Sequence, residues 1–166
     1  PQNFKTYIEK LSEVSGINIS KFQDVIDALQ KRHDFFAENG CKLSDHGIEE
    51  FYAEDYTDAE IDAIFNKVYG GTELTHDEIL KFKSAMMVIF AEMDHASGWA
   101  QQFHYGAIRD NNTKMFNLLG PDTGFDSIGQ FNTAKSMSKF LNRLATNDKL
   151  TKTIIYNLNP ADNEVV

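Results

Sequence analysis

Several familiar signatures are missing from this sequence, and each absence removes a class of function. One cysteine, Cys41, stands among 166 residues, so no internal disulfide can form, and this usage points to a reducing cytoplasm. No apolar run approaches the roughly 18 residues that a membrane span needs. The opening stretch, PQNFKTYIEK, has no apolar signal core and no initiator Met, and the expectation is a segment excised from within a longer chain. Positive charge is also scarce. The formal net charge is −9, and the only arginines are Arg32, Arg109 and Arg143. Such a balance excludes sequence-independent binding to nucleic acid and opposes docking on anionic lipid. An anionic substrate would have to be held by local cations against an unhelpful global field. Metal motifs are missing too, since no His-x-His, His-Glu-x-x-His or Cys-x-x-Cys occurs. No Gly-Lys-Ser/Thr follows the one Gly-rich loop, which therefore is not a phosphate cradle.

What remains is an alternation of helices and short strands. Phe4, Tyr7, Ile8 and Leu11 keep the helical period, with Gly16 as a stop. Ser20 is expected to cap a longer helix carrying Phe22, Val25, Ile26, Leu29 and His33, ended by Asn39-Gly40. Residues 48–97 read as a helical excursion, with capping boxes at Thr57–Glu60 and Thr75–Glu78 and a largely buried run from Ala85 to Phe90. Short strands are expected at Cys41–Leu43, breaking into a polar turn over Ser44–Gly47, at Trp99–His104, and at Thr153–Leu158. A short helix around Met115–Leu119, turn chemistry over 120–129, and an amphipathic helix over 132–145 lie between the last two. Helix and strand in alternation imply parallel strands with helical crossovers. Three strands that each end in a polar cluster suit consecutive units of a (β/α)8 barrel better than a doubly wound sheet.

The polar clusters hold the candidate chemistry. Asp45 beside His46 can serve proton transfer, metal binding or sugar hydroxyls, or Asp45 can simply cap a turn with His46 packed beneath it. His104 ends its strand as either a ligand at a barrel mouth or a satisfied half-buried histidine. Arg109 can clamp a carboxylate or pair with Asp110 or Asp122. Asp122 and Asp126 lie in the Gly-rich loop, where their side chains read locally as accepting backbone N–H groups of a self-bonded turn. Asn159 and Asp162 flank Pro160 in the same style, while His33, His76 and His95 show no ligand spacing and are given no role.

Four runs then carry a resemblance: CKLSDHG at 41–47, QFHYGAIRDNNT at 102–113, LGPDTGFDSIG at 119–129, and KTIIYNLNPADNEV at 152–165. Together they strongly resemble the uronate (glucuronate) isomerase family of the amidohydrolase superfamily. The resemblance implies an incomplete (β/α)8 barrel, with residues 1–166 a single segment covering strands five to seven and 48–97 a helical excursion within it. It implies an aldose–ketose isomerase of hexuronates, converting D-glucuronate to D-fructuronate and D-galacturonate to D-tagaturonate through an enediol. By the same likeness Asp45 and His104 are catalytic, and His46, Arg109, Asp122, Asp126 and Asn159 contact substrate. A divalent metal such as Zn is expected in the full-length enzyme, with its main ligands absent from this segment. The missing His-x-His and the missing aspartate of an eighth strand imply that the segment alone is inactive. Ala161 departs from a motif in which some members carry a basic residue. Expected partners are a hexuronate and either a second copy or the rest of the enzyme, with no nucleic acid and no membrane, in the cytoplasm. The rival readings are a non-catalytic sugar-binding or scaffold fragment, and a metal-dependent hydrolase of the same superfamily.

Overall fold

The structure, a computed structural model, describes residues 4–166. Two helices open it: α1 (Phe4–Ser15) and α2 (Phe22–Glu38). Gly16 ends α1 in the left-handed region at φ 68°, where a Cβ would be strained. Strand β1 (Leu43–Ile48) follows, then α3 (Asp58–Tyr69) and α4 (His76–Ala96). Both expected capping boxes are formed, Thr57 with Glu60 and Thr75 with Glu78. The start of α2 differs from expectation. Its N-cap is Lys21, and the Asp24 carboxylate reaches back to accept from the Ser20 amide, the Ser20 hydroxyl and the Lys21 amide. A charge-assisted acceptor has displaced the hydroxyl as the capping group.

Strand β2 (Ala100–Tyr105), the two-residue β3 (Ala107–Ile108), α5 (Thr113–Leu119) and the two-residue β4 (Ser127–Ile128) come next. The chain ends with α6 (Thr133–Thr146), β5 (Thr153–Asn157) and a 3-10 turn at Pro160–Glu164. Strands β1, β2 and β5 form a parallel sheet in the order β1-β2-β5, while β3 and β4 pair antiparallel. The architecture is mixed α/β, helix-rich, with a short parallel sheet.

Two apolar cores share this framework. One gathers Ile8, Leu11, Phe22, Val25, Ile61, Ile64, Phe65 and Ala85 from the first four helices. Residues of the helical excursion thus pack with α1 and α2 rather than apart from them. The other joins Phe51, Met87, Ala91, Phe103, Tyr105, Phe140 and Leu144 beneath the sheet. The run Ala85–Phe90 is only partly buried, with Ala85 and Met87 fully so.

Strand alternation decides what each face of the sheet carries. Gln101, Phe103 and Tyr105 face the helices and are essentially inaccessible. Leu43 and Ile154 are about half exposed on the other face, as expected of an open sheet, whereas Phe103 is 1% exposed and does not join them. Two sequence expectations are corrected here. The polar run Ser44–Gly47 is not a turn but lies inside β1, so Asp45 caps nothing. The stretch 120–129 is not turn throughout, because Ser127–Ile128 pairs with Ala107–Ile108.

Candidate active site on the open face of the sheet

Because the strands are parallel, their C-terminal ends lie together. The register aligns Asp45 with Gln102 and Ile154, and Gly47 with His104 and Tyr156. These positions alternate with the buried ones, so they share the open face. Asp45 and His104 meet there directly, with Nδ1 of His104 2.8 Å from Oδ1 of Asp45 and both side chains about half exposed. In the Nδ1–H tautomer the carboxylate accepts that proton, and Nε2 lies on the far side of the ring from the pair.

Tyr156 holds the imidazole from the third strand. Its ring stacks on His104 at 4.4 Å between centroids and 6° between planes, and its hydroxyl donates to Gln102 Oε1 at 2.9 Å. Sequence reasoning overlooked Gln102 and Tyr156, although their signal was available: Gln102 lies two residues from His104, and β5 alternates through Tyr156.

Arg109 leaves β3 and comes back over β1. A Cβ placed on Gly47 would lie 3.4 Å from its Nη2, so the guanidinium passes above the glycine that is the register partner of His104. Its Nη1 donates to Asp126 Oδ2 at 2.7 Å. The amide of Asp110 donates to Asp126 Oδ1, and with the arginine it holds the Asp126 carboxyl below its ordinary range. Asp45, His104 and Arg109 are therefore gathered at one end of one face.

Other expected site residues lie elsewhere. His46 points to the helix side, its ring stacked against Phe90 at 5.6 Å and Phe103 at 5.3 Å. Burial there lowers its pKa, against the pull of the Asp94 and Asp45 carboxylates. Asp122 occupies an exposed turn at φ 59°, and among the described residues no hydrogen bond or ion pair ties it to Asp45, His104 or Arg109. Asn159 spends its amide on backbone, donating to the Gly129 carbonyl and accepting from the Ala161 amide, both at 3.0 Å.

Beneath the sheet lies a polar cluster that local sequence did not reveal. Asp94 on α4, 1% exposed, accepts from the Ser44 hydroxyl at 2.5 Å and sits 3.0 Å from Nε2 of His33. His33 also stacks on Trp99 at 3.9 Å. A buried carboxylate requires such partners, and here they tie α2 and α4 to β1 one residue before Asp45.

The sequence matches the glucuronate isomerase family over residues 1–166. The chain belongs to that family. It is 76% identical to the uronate isomerase of Phocaeicola vulgatus and 77% identical to that of Bacteroides thetaiotaomicron, over the whole chain and 36% of each relative. Among solved structures it is similar to uronate isomerase from Thermotoga maritima, with a TM-score of 0.90 and 35% identity over 96% of this chain and 35% of that one. Glucuronate isomerase from Caulobacter crescentus gives a TM-score of 0.87 at 25% identity, over 98% of this chain and 33% of that one. The chain thus spans about a third of the length of the family members it matches.

The described residues do not by themselves fit a metal. Among them no group of three His, Cys, Asp or Glu side chains could hold an ion, and Asp45 and His104 are engaged with each other. An open catalytic zinc site uses about three protein ligands, and the described residues bring no such group together. No helix among the described residues is long and apolar enough to cross a membrane.

Proposed function

We propose that this chain contributes part of the active site of a hexuronate isomerase, interconverting D-glucuronate with D-fructuronate and D-galacturonate with D-tagaturonate. The observation that carries the reading is the Asp45–His104 pair on the open sheet face, with the Arg109 guanidinium at the same end. Around it we place three consecutive β/α units of a (β/α)8 barrel, with the open face as the inner wall and residues 48–97 as a helical excursion. Both the parallel order β1-β2-β5 and the family likeness support that placement. The exposed edges of the sheet would be covered by the remainder of such an enzyme or by a second copy.

Conversion of an aldose to a ketose moves a proton between C2 and C1 through an enediol, while a second proton passes between O2 and O1. His104, with Nδ1 held by Asp45, offers Nε2 to accept and return a proton at a sugar oxygen. Asp45 keeps the imidazole in that tautomer and balances the charge that the ring gains. Arg109 pairs with the carboxylate at the far end of the sugar, which fixes the reacting carbons against the imidazole. Tyr156 and Gln102 keep the imidazole plane in place from the neighbouring strand. In this reading His46 supports β1 from behind and does not touch substrate. A divalent ion such as Zn, which family likeness implies, would be held by residues outside this segment.

The test is a chimera in which residues 1–166 replace the corresponding third of the Bacteroides thetaiotaomicron relative. Incubated with D-glucuronate in D2O, it should form fructuronate with deuterium delivered stereospecifically to C1, and glucuronate re-formed by the reverse reaction should carry deuterium at C2. Hydrolytic turnover, or tight sugar binding with no exchange, would replace the isomerase reading by a hydrolase or a binding fragment.

A further inference from the structure

Asp126 bonds to Arg109 directly, and Asn159 bonds to the backbone three residues beyond Asp126. One carboxylate oxygen of Asp126 takes Arg109 Nη1 at 2.7 Å, and the other takes the Asp110 amide at 3.0 Å. Asp126 therefore fixes both the guanidinium and the backbone immediately after it. That backbone turns sharply, since Asp110 sits at φ 55°, a left-handed conformation that among non-glycine residues Asp adopts more readily than most. Asn111 adds a bond from its amide to the Phe125 carbonyl at 2.8 Å.

The strand that follows Asp126 is anchored in turn. Ile108 pairs with Ser127 and Ala107 with Ile128, and the Gly129 amide donates to the Gly106 carbonyl at 2.7 Å. The Gly129 carbonyl accepts from Asn159 Nδ2 at 3.0 Å, while Asn159 Oδ1 is held by the Ala161 amide. Gly129 has no room for a side chain, because a Cβ there would meet the Phe131 ring at 2.2 Å. Asn159 thus rivets the β3–β4 ladder to the end of β5, the strand whose Tyr156 stacks on His104.

We propose that Asp126 and Asn159 are positioning residues rather than substrate contacts. Asp126 aims the Arg109 guanidinium over Gly47, and Asn159 fixes the ladder from which Asp126 acts. The inference deepens the reading of Arg109 as the clamp on a hexuronate carboxylate. A long, flexible arginine loses conformational freedom on gripping a ligand, and holding it beforehand removes that cost from binding.

Two measurements decide it, and they fail separately from the isomerase reading. In NMR spectra of the 166-residue chain, the Arg109 side-chain N–H signals should be dispersed and slow to exchange. Asp126→Asn should collapse them to averaged values. Asn159→Ala should speed exchange of the Ile108 and Ile128 amides about tenfold while β2 and β5 amides keep their shifts. Arg109 signals already averaged in the unsubstituted chain, or unmoved by Asp126→Asn, would overturn the proposal whether or not the chimera isomerises sugar. In an active chimera, Asp126→Asn should raise KM for glucuronate about tenfold with a smaller change in kcat. In an Arg109→Ala background the same substitution should change kcat/KM by less than about twofold, because its effect passes through the arginine. Equal losses in both backgrounds would assign Asp126 a contact of its own and sink the idea.

Discussion

The two faces of one small sheet have been put to opposite uses. On the helix side Gln101, Phe103 and Tyr105 are almost inaccessible, and aromatic rings interlock there, Phe51 with Phe103 at 5.0 Å and Phe103 with Phe140 at 5.7 Å. On the open side Asp45, Gln102, His104 and Tyr156 form a polar row, all but Gln102 about half exposed. Residues 103 and 104 are neighbours in sequence yet belong to these two worlds. A period of two is enough to place a stabilising residue beside a chemical one without either interfering with the other.

That division makes opposite forecasts for adjacent substitutions. In the active chimera, His104→Ala should lower kcat/KM by roughly ten- to ten-thousand-fold, or about 1.4 to 5.5 kcal/mol. The chain's stability should change by less than about 0.5 kcal/mol, as for other exposed positions. Denaturant titration of the same variant checks the second half, and a large loss of stability would break the contrast. Phe103→Ala should do the reverse and cost about 3–5 kcal/mol of stability, the range for emptying a buried aromatic site. A midpoint in urea unchanged from the parent chain would show that the helix-side core does not depend on this ring.

A smaller effect than either principal loss is expected at a site on neither face, the capping box that starts α3. Thr57→Ala should cost about 1 kcal/mol. Bonds from Lys81 and from the Thr57 amide and hydroxyl hold the Glu60 carboxyl at about 2, down from 4.5. A carboxylate with a depressed folded pKa stabilises the native state above its ordinary value, and this stabilisation fades as pH falls through about 2. Thermal melts of the parent and Glu60→Gln should therefore differ at pH 7 and converge near pH 2. A difference that persists unchanged at low pH would assign the effect to packing.

Much of the fold was legible because its elements announce themselves locally. The boxes at Thr57 and Thr75 and the glycine after α1 need no distant partner to be read. Placement within β1 was not legible, and the reason is physical. Ser44-Asp45-His46-Gly47 is polar on both faces, which imitates a turn. It is a strand because Ser44 finds the buried Asp94 and His46 finds Phe90, each more than forty positions away in sequence. Asp45, His104 and Arg109 were singled out from their motifs, but which of their neighbours faced them was not. Gly47 gave no cue, since the guanidinium that lies over it arrives from another loop. For Asn159 and Asp126 local sequence leaves both readings open, because short polar side chains in loops serve ligands and backbone equally well.

Helix α4 runs through both cores, giving Ala85 to the first and Met87 and Ala91 to the second, with Asp94 holding β1 from its last turns. Hydrogen exchange sees such an element as a shared boundary between foldons. If the first helices open, they uncover one flank of α4. If the sheet opens, it uncovers the other. Neither half can lose its order without loosening the helix that supports its neighbour, so the amides around Met87 and Ala91 should be released only by global unfolding. The helical part and the chemical face would then melt as one cooperative body.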